Sequence, residues 1–157
     1  MRKNRKTKNI IVKCGSDFLL PVTLIMGFYI ILHGHLTPGG GFQGGVVVAA
    51  AIVLIFLAYG NKGIKKTFPV PEFLKETENV GSLMYSYFAM LGIFMGANFC
   101  RNTIFKIGRP GELYSSGTIF WMNFSVGLKV MMGIGFMLIV MLAVLDVKNA
   151  EQGVNKN

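Results

Sequence analysis

The sequence predicts an all-α integral membrane protein with four transmembrane helices and a glycine-rich bend between helices one and two. Of its 157 residues, 52% are hydrophobic and 15% are charged, whereas soluble domains carry about 25% charged residues. The mean hydropathy is +0.53. Four apolar runs are each long enough to cross the bilayer, which takes about 20 residues. No run alternates like the strands of a membrane β-barrel, and the hydrophobicity is too high for a disordered chain.

The first two predicted helices flank the glycine segment. Helix one follows a basic N-terminal stretch. No small-residue cleavage site comes after its apolar run, so we expect a retained helix rather than a signal peptide. Helix two begins after Gly41 and ends where the basic connection 61–79 starts.

The last two predicted helices follow that connection. Pro69 and Pro71 are expected to prevent a regular helix within it and to favour an extended turn. Helix three is predicted from the apolar run that begins near Val80. Helix four is long enough to tilt or to protrude from the bilayer. The four helices are predicted at about 18–36, 42–59, 80–99 and 118–145 of a single membrane domain, 1–157.

The basic residues flank the apolar runs instead of forming one basic face. Of 16 Lys and Arg, six lie in 1–15, four in 61–79 and two after Leu145, against three in 100–117. This asymmetry predicts a multi-pass protein of the cell (inner) membrane with both termini cytoplasmic. It favours contacts with anionic lipid and disfavours nucleic acid as a partner. Cys14 and Cys100 then lie on opposite sides of the bilayer and cannot pair within the chain.

The segment from Gly34 to Gly45 is the most unusual part of the sequence. Its proline ends helix one, and its glycines allow backbone conformations closed to other residues. Glycines four residues apart also let a neighbouring helix approach closely. A phosphate-binding loop is disfavoured because no Gly-Lys-Ser/Thr follows. We therefore predict a tight, buried bend built by Pro38, Gly39, Gly40, Gly41, Gly44 and Gly45.

Lys129 is the sharpest candidate for a functional residue. It lies near the middle of helix four, where a lysine costs about 2.5–3.5 kcal/mol or more on insertion scales. Ser125 and Gly133 lie one turn away on the same helix face. The pair Lys129 and Ser125 is a candidate part of an ion or proton path; the alternative is a structural lysine. No Asp or Glu falls in the four predicted spans, so we expect another chain to supply the counter-charge.

Three further polar residues have competing interpretations. Asp17 starts predicted helix one and is either an ion-path residue or a helix cap. His35 is either an ion-path residue, a hydrogen-bonding support of the bend, or a pH sensor. With His33 it forms an H-x-H pair, but further ligands are lacking and we predict no metal site. Glu112 is expected near Arg109 on the surface, where the pair contributes little.

The segment Gly34-His35-x-x-Pro38-Gly39-Gly40-Gly41-Phe42-x-Gly44-Gly45 closely resembles the signature of the B-type subunit of the Mrp/Mnh-type multisubunit sodium/proton antiporters. Residues 29–33, 117–120 and 126–130 are similar too, so the resemblance covers most of 16–145. It implies a membrane subunit that works with sibling subunits, which hold the main proton-path acids and lysines, to exchange sodium and protons.

The same subunit type resembles a component of the antiporter-like membrane arms of respiratory hydrogenases and related complexes. The alternative is therefore a membrane subunit of an energy-converting redox complex. The chain has no ligand set for an iron–sulfur cluster, so we expect no cofactor of its own and no enzymatic activity by itself. A self-sufficient exporter is disfavoured, because it would need a carboxylate within a span.

Overall fold

A computed structural model describes residues 2–36, 38–67, 72–102, 111–112 and 115–154. All regular structure in these ranges is helical, which confirms the all-α prediction. The helices are α1 (Arg2–His33), α2 (Gly40–Thr67), α3 (Glu72–Phe94) and α4 (Thr118–Val154).

The helices extend beyond the apolar runs from which they were predicted. Helix α1 starts at Arg2 rather than at residue 18, and α4 continues to Val154. Hydropathy marks the lipid-facing part of a helix, whereas the helix itself ends only where the backbone is interrupted. In α2 that interruption is Gly60, with φ 66° and ψ −162°, so a short second helical piece follows the apolar one.

The prediction of four transmembrane helices was wrong. Among the described residues, three helical stretches are long and apolar enough to cross a membrane: Ile10–His33, Gly40–Gly60 and Thr118–Val144. Helix α3 is not among them, because it starts at Glu72 and carries four charges in its first seven residues. Only 16 uncharged residues then remain before its end at Phe94, fewer than the about 20 that a span needs.

The four helices pack as an open row in the order α1, α2, α4, α3. Contacts such as Gly27 with Gly44 make α1 and α2 antiparallel, and Gly45 against Val130 makes α2 and α4 parallel. Helix α3 runs antiparallel to α4 and makes no comparable contact with α1 or α2 in the described ranges. An open row leaves both faces uncovered: Ile25 is 72% exposed.

Glycines set the spacing of this row. A Cβ atom on Gly44 would lie 2.7 Å from Cγ1 of Ile31 in α1. A Cβ atom on Gly45 would lie 2.8 Å from the carbonyl oxygen of Gly127 in α4. Helix α2 therefore approaches both neighbours more closely than any residue with a side chain would allow at these positions.

Candidate functional site

The turn between α1 and α2 is the glycine-rich bend. Helix α1 ends at His33, slightly before the predicted end near residue 36, and α2 begins at Gly40. Gly39 and Gly40 have φ of 142° and 63°, in the region that favours glycine. The turn is closed at its start by the N–H of Leu36, which donates to the His33 carbonyl at 2.8 Å.

Asn123 of α4 holds this turn. Its Oδ1 accepts a hydrogen bond from the Gly41 N–H at 2.6 Å, and its Nδ2 donates to the Ile31 carbonyl at 2.8 Å. The Gly41 N–H lies in the first turn of α2 and the Ile31 carbonyl in the last turn of α1, where backbone groups lack partners within their own helix. The sequence analysis did not single out Asn123. A polar amide inside the apolar run of helix four was the signal that could have identified it.

In the described part of the chain, His35 makes no side-chain hydrogen bond to the bend, contrary to one prediction. Both of its ring nitrogens are buried without a hydrogen-bond partner in the part of the chain described. Its ring packs edge-on against Phe120 of α4, with centroids 5.3 Å apart. His33 points elsewhere: its ring stacks on Tyr29 at 4.2 Å, and Nδ1 lies 3.1 Å from the Tyr29 carbonyl oxygen.

Lys129 has an exposed side chain at the contact between α3 and α4. It lies eleven residues past Thr118, about 16 Å along the helix. A Cβ atom on Gly81 of α3 would lie 3.0 Å from the Lys129 backbone nitrogen, so α3 packs directly beside it. Ser125, one turn earlier, is fully buried, and its hydroxyl donates to the Trp121 carbonyl at 2.7 Å.

Glu78 is a carboxylate that the sequence prediction overlooked. Because α3 starts at Glu72, Glu78 is helical and reaches α4 beside Gly133, where an added Cβ atom would lie 3.1 Å from the Glu78 Cδ. Gly133 is one turn beyond Lys129 and falls within the apolar stretch Thr118–Val144. Glu78 thus lies outside the predicted spans and still packs against the apolar stretch of α4, which the sequence did not indicate.

Two cavities meet at Lys129. A groove of about 590 Å³ has Lys129 and Glu78 on its wall, with apolar residues of α4 forming most of the rest. A second cavity of about 300 Å³ lies between α3 and α4 and joins Lys129 to Ser125 and Ser82. Lys129 and Glu78 form no direct ion pair in the described structure. Both side chains line the same groove without touching each other.

Asp17 lies elsewhere, on α1 near the opposite end of the row from the glycine turn. Tyr59 of α2 donates its hydroxyl to the two carboxylate oxygens, at 2.8 and 2.9 Å. Lys13 adds a cation–π contact, with Nζ 5.4 Å from the Tyr59 ring centroid. Because α1 begins at Arg2, Asp17 is not the helix cap that was one alternative. It lies within the helical stretch Ile10–His33, which starts before the predicted helix at 18.

The remaining predicted groups make no cluster. In the described part of the chain, no three His, Cys, Asp or Glu residues come together as metal ligands would. Glu112 is exposed, and the Arg109 expected beside it lies outside the described residues. The structure thus brings Lys129, Ser125 and Glu78 together and keeps Asp17 and His35 apart from them.

Comparison with known proteins gives one family. Residues 11–136 match the family of domains related to the MnhB subunit of Na⁺/H⁺ antiporters. A putative antiporter subunit mnhB2 of Staphylococcus haemolyticus is 29% identical over 140 residues, covering 88% of this chain and 95% of that protein. An uncharacterized protein of Methanocaldococcus jannaschii is 36% identical over 124 residues, covering 73% of this chain but only 46% of that protein.

A solved structure is similar as well. It is a chain of the membrane-bound sulfane sulfur reductase, an archaeal respiratory membrane complex, with a TM-score of 0.61 and 28% sequence identity. The similarity covers 84% of this chain and 57% of that one. The chain therefore spans about half the length of the Methanocaldococcus protein and of the reductase chain, and nearly the whole of the staphylococcal relative.

Proposed function

The chain belongs to the family of domains related to the MnhB subunit of Na⁺/H⁺ antiporters, and from this we propose that it is a membrane subunit of a multisubunit cation/proton antiporter. The family match over residues 11–136 carries the proposal. The open row of helices is compatible with it, because its uncovered faces leave room for neighbouring subunits as well as for lipid. We place the subunit in the cell membrane with both termini cytoplasmic, as the distribution of Lys and Arg favours. This placement requires the chain to return across the membrane between α2 and α4. Helix α3 provides that return, because it runs antiparallel beside α4, although its apolar part is shorter than a full span.

Within that complex, Lys129, Ser125 and Glu78 are the proposed polar part of an ion or proton path. The groove shared by Lys129 and Glu78 is large enough for water, which can bridge polar groups that do not touch. An ammonium and a carboxylate joined by water can exchange protons, and a carboxylate oxygen is a ligand that sodium accepts. Asp17 and His35 lie apart from these three residues, Asp17 against Tyr59 and His35 against Phe120, and we leave them out of the proposed path.

The direct test replaces Lys129 by Met, which keeps the bulk of the side chain and removes its charge. We expect the K129M complex to assemble and to exchange cations about tenfold more slowly or worse, equivalent to about 1.4 kcal/mol or more in the barrier. Antiport is measured as sodium-dependent proton movement in membrane vesicles. An assembled K129M complex with full antiport would remove Lys129 from the path.

A matched control is Lys75, the same residue type in the first turns of α3. Its Nζ lies 5.0 Å from the Phe136 ring centroid, and Lys75 is not among the described residues that line the groove. We expect K75M to leave antiport unchanged.

Glu78→Gln keeps the shape of the Glu78 side chain and removes its charge. We expect E78Q to slow antiport as K129M does.

The second candidate function is a membrane subunit of an energy-converting redox complex. The observation that favours it is the similarity to a chain of the archaeal sulfane sulfur reductase complex. The two candidates differ in the chains that co-purify with the subunit from its native membrane. Antiporter subunits alone support the first, and additional iron–sulfur or hydrogenase-type subunits support the second. Deletion should abolish growth in high sodium at alkaline pH only if the first is correct.

A further inference from the structure

One face of the row carries a groove along α4 that the isolated chain leaves open. Helix α4 forms its floor, and Phe42 of α2 and Glu78 of α3 line its sides. The floor runs from Lys129 to Met141, twelve residues or about 18 Å. Met137 is 68% exposed and Met141 is 58% exposed. The groove is therefore long and straight, a shape that suits packing against another helix, and it is not a closed pocket.

The charge of Lys129 favours a protein over lipid as the occupant of the groove. Lys129 is exposed in the groove and lies near the middle of the apolar stretch Thr118–Val144. Acyl chains offer no partner to an ammonium at that depth, and intramembrane charges in proteins are paired or face water. Glu78 does not neutralise it directly, because no ion pair joins the two side chains in the described part of the chain.

We propose that the groove receives a transmembrane helix of a neighbouring subunit, with a carboxylate facing Lys129 and a hydrogen-bond donor facing Glu78. The two polar groups of the groove lie about one turn apart along α4, since Glu78 contacts Gly133. The partner therefore carries its acid and its donor about one turn apart on one face. The rest of that face is apolar and packs against Met137 and Met141. This inference rests on the proposed function, which supplies the neighbouring subunits.

Site-specific photo-crosslinking in the intact complex tests the proposal. Benzoyl-phenylalanine replaces Met137 or Met141 in the groove, and Ile25 on the outer side of α1 as the control. We expect both groove variants to crosslink to the same helix of one neighbouring subunit. That helix is expected to carry Asp or Glu about eight residues from the Met137 adduct, the distance from 129 to 137 along a helix. The Ile25 variant should not capture that helix.

A charge exchange gives the second measurement. Lys129→Asp should lower the yield of the Met137 crosslink at least about tenfold, because two like charges face each other. Replacing the partner's acid by Lys in the same complex should restore it. Adducts with lipid alone, with a second copy of this chain, or with a helix lacking the acid would overturn the proposal, as would an undiminished crosslink in K129D.

Co-purification separates this proposal from the proposed function. If no other subunit accompanies the chain from its membrane, the proposed function fails and the groove has no subunit to bind. If antiporter subunits co-purify and the groove variants capture only lipid, the docking proposal fails and the proposed function stands.

Discussion

Asn123 shows how one amide can determine the geometry of two helix ends. It satisfies a backbone donor of α2 and a backbone acceptor of α1 with a single side chain. In an apolar surrounding no water is available to hydrogen-bond a backbone group, so each group left without a partner raises the free energy of the folded chain. The amide is the side chain that both donates and accepts in a fixed geometry, so neither Asp nor Leu replaces it.

Replacing Asn123 by Ala should destabilise the chain more than any other single amide substitution in the described helices. Two backbone groups lose their partners, at about 1–3 kcal/mol each. We expect a lower midpoint of thermal unfolding for the purified complex in detergent. Asn98→Ala is the control, because Asn98 is exposed after α3 and its side chain has no hydrogen bond in the described structure. Equal midpoints for the two variants would contradict the role of Asn123.

Single residues differ in how far the sequence revealed them. Lys129 was recognisable because a charge inside a 27-residue apolar stretch is conspicuous. Glu78 was missed because hydropathy located the start of the third helix near residue 80, after the charged residues. Asn123 was missed because its partners, Gly41 and Ile31, are 82 and 92 residues away, and no local pattern encodes a contact between distant helices.

At the scale of helices, close packing of α2 against α4 depends on Gly41. A Cβ atom there would collide with the backbone carbonyl oxygen of Asn123 and lie 2.8 Å from the nitrogen of Gly127. Backbone atoms cannot move aside as the end of a flexible side chain can. A larger residue must therefore push the two helices apart at the end where the turn is held.

We expect Gly41→Ala to destabilise the chain by about 1–3 kcal/mol, the usual cost of overpacking a close contact. Gly15→Ala is the matched control on α1, because nothing lies within 4 Å of the added Cβ atom. There the only effect is on helix propensity, which favours Ala by about 1 kcal/mol. Thermal unfolding of the two purified variants should shift in opposite directions. A stable G41A complex would show that α2 and α4 are not packed as described.

The sequence predicted the number and order of the helices, and it predicted the bend between the first two. Their ends were less accurate. Basic and polar residues continue α1 back to Arg2, since no proline or turn signal interrupts them. The row arrangement was not predictable, because apolar residues cover the helices on all sides when lipid or other subunits surround them.

For the molecule as a whole, the row of helices places the start of α1 and the end of α4 at the same end of the row's helix axes. Asp17 of α1 contacts Tyr59 at the C-terminal part of α2, and Lys75 of α3 contacts Phe136 well along α4. The glycine turn and the start of α4 lie together at the other end through Asn123. The start of α1 and the end of α4 therefore share a side. The distribution of Lys and Arg favours the cytoplasm for this side.

The two native cysteines report on this arrangement without engineering. Both are exposed, Cys14 near the shared end of the row and Cys100 beyond α3 near the other. We expect a membrane-impermeant maleimide to label Cys100 in intact cells and Cys14 only after the membrane is opened, because the charged reagent cannot cross the bilayer. Cys14→Ser and Cys100→Ser variants assign each signal, and labelling in detergent establishes that both thiols react in the complex. Labelling of Cys14 alone in intact cells would invert the orientation. Labelling of both would mean that the two ends of the row do not lie on opposite sides of the membrane.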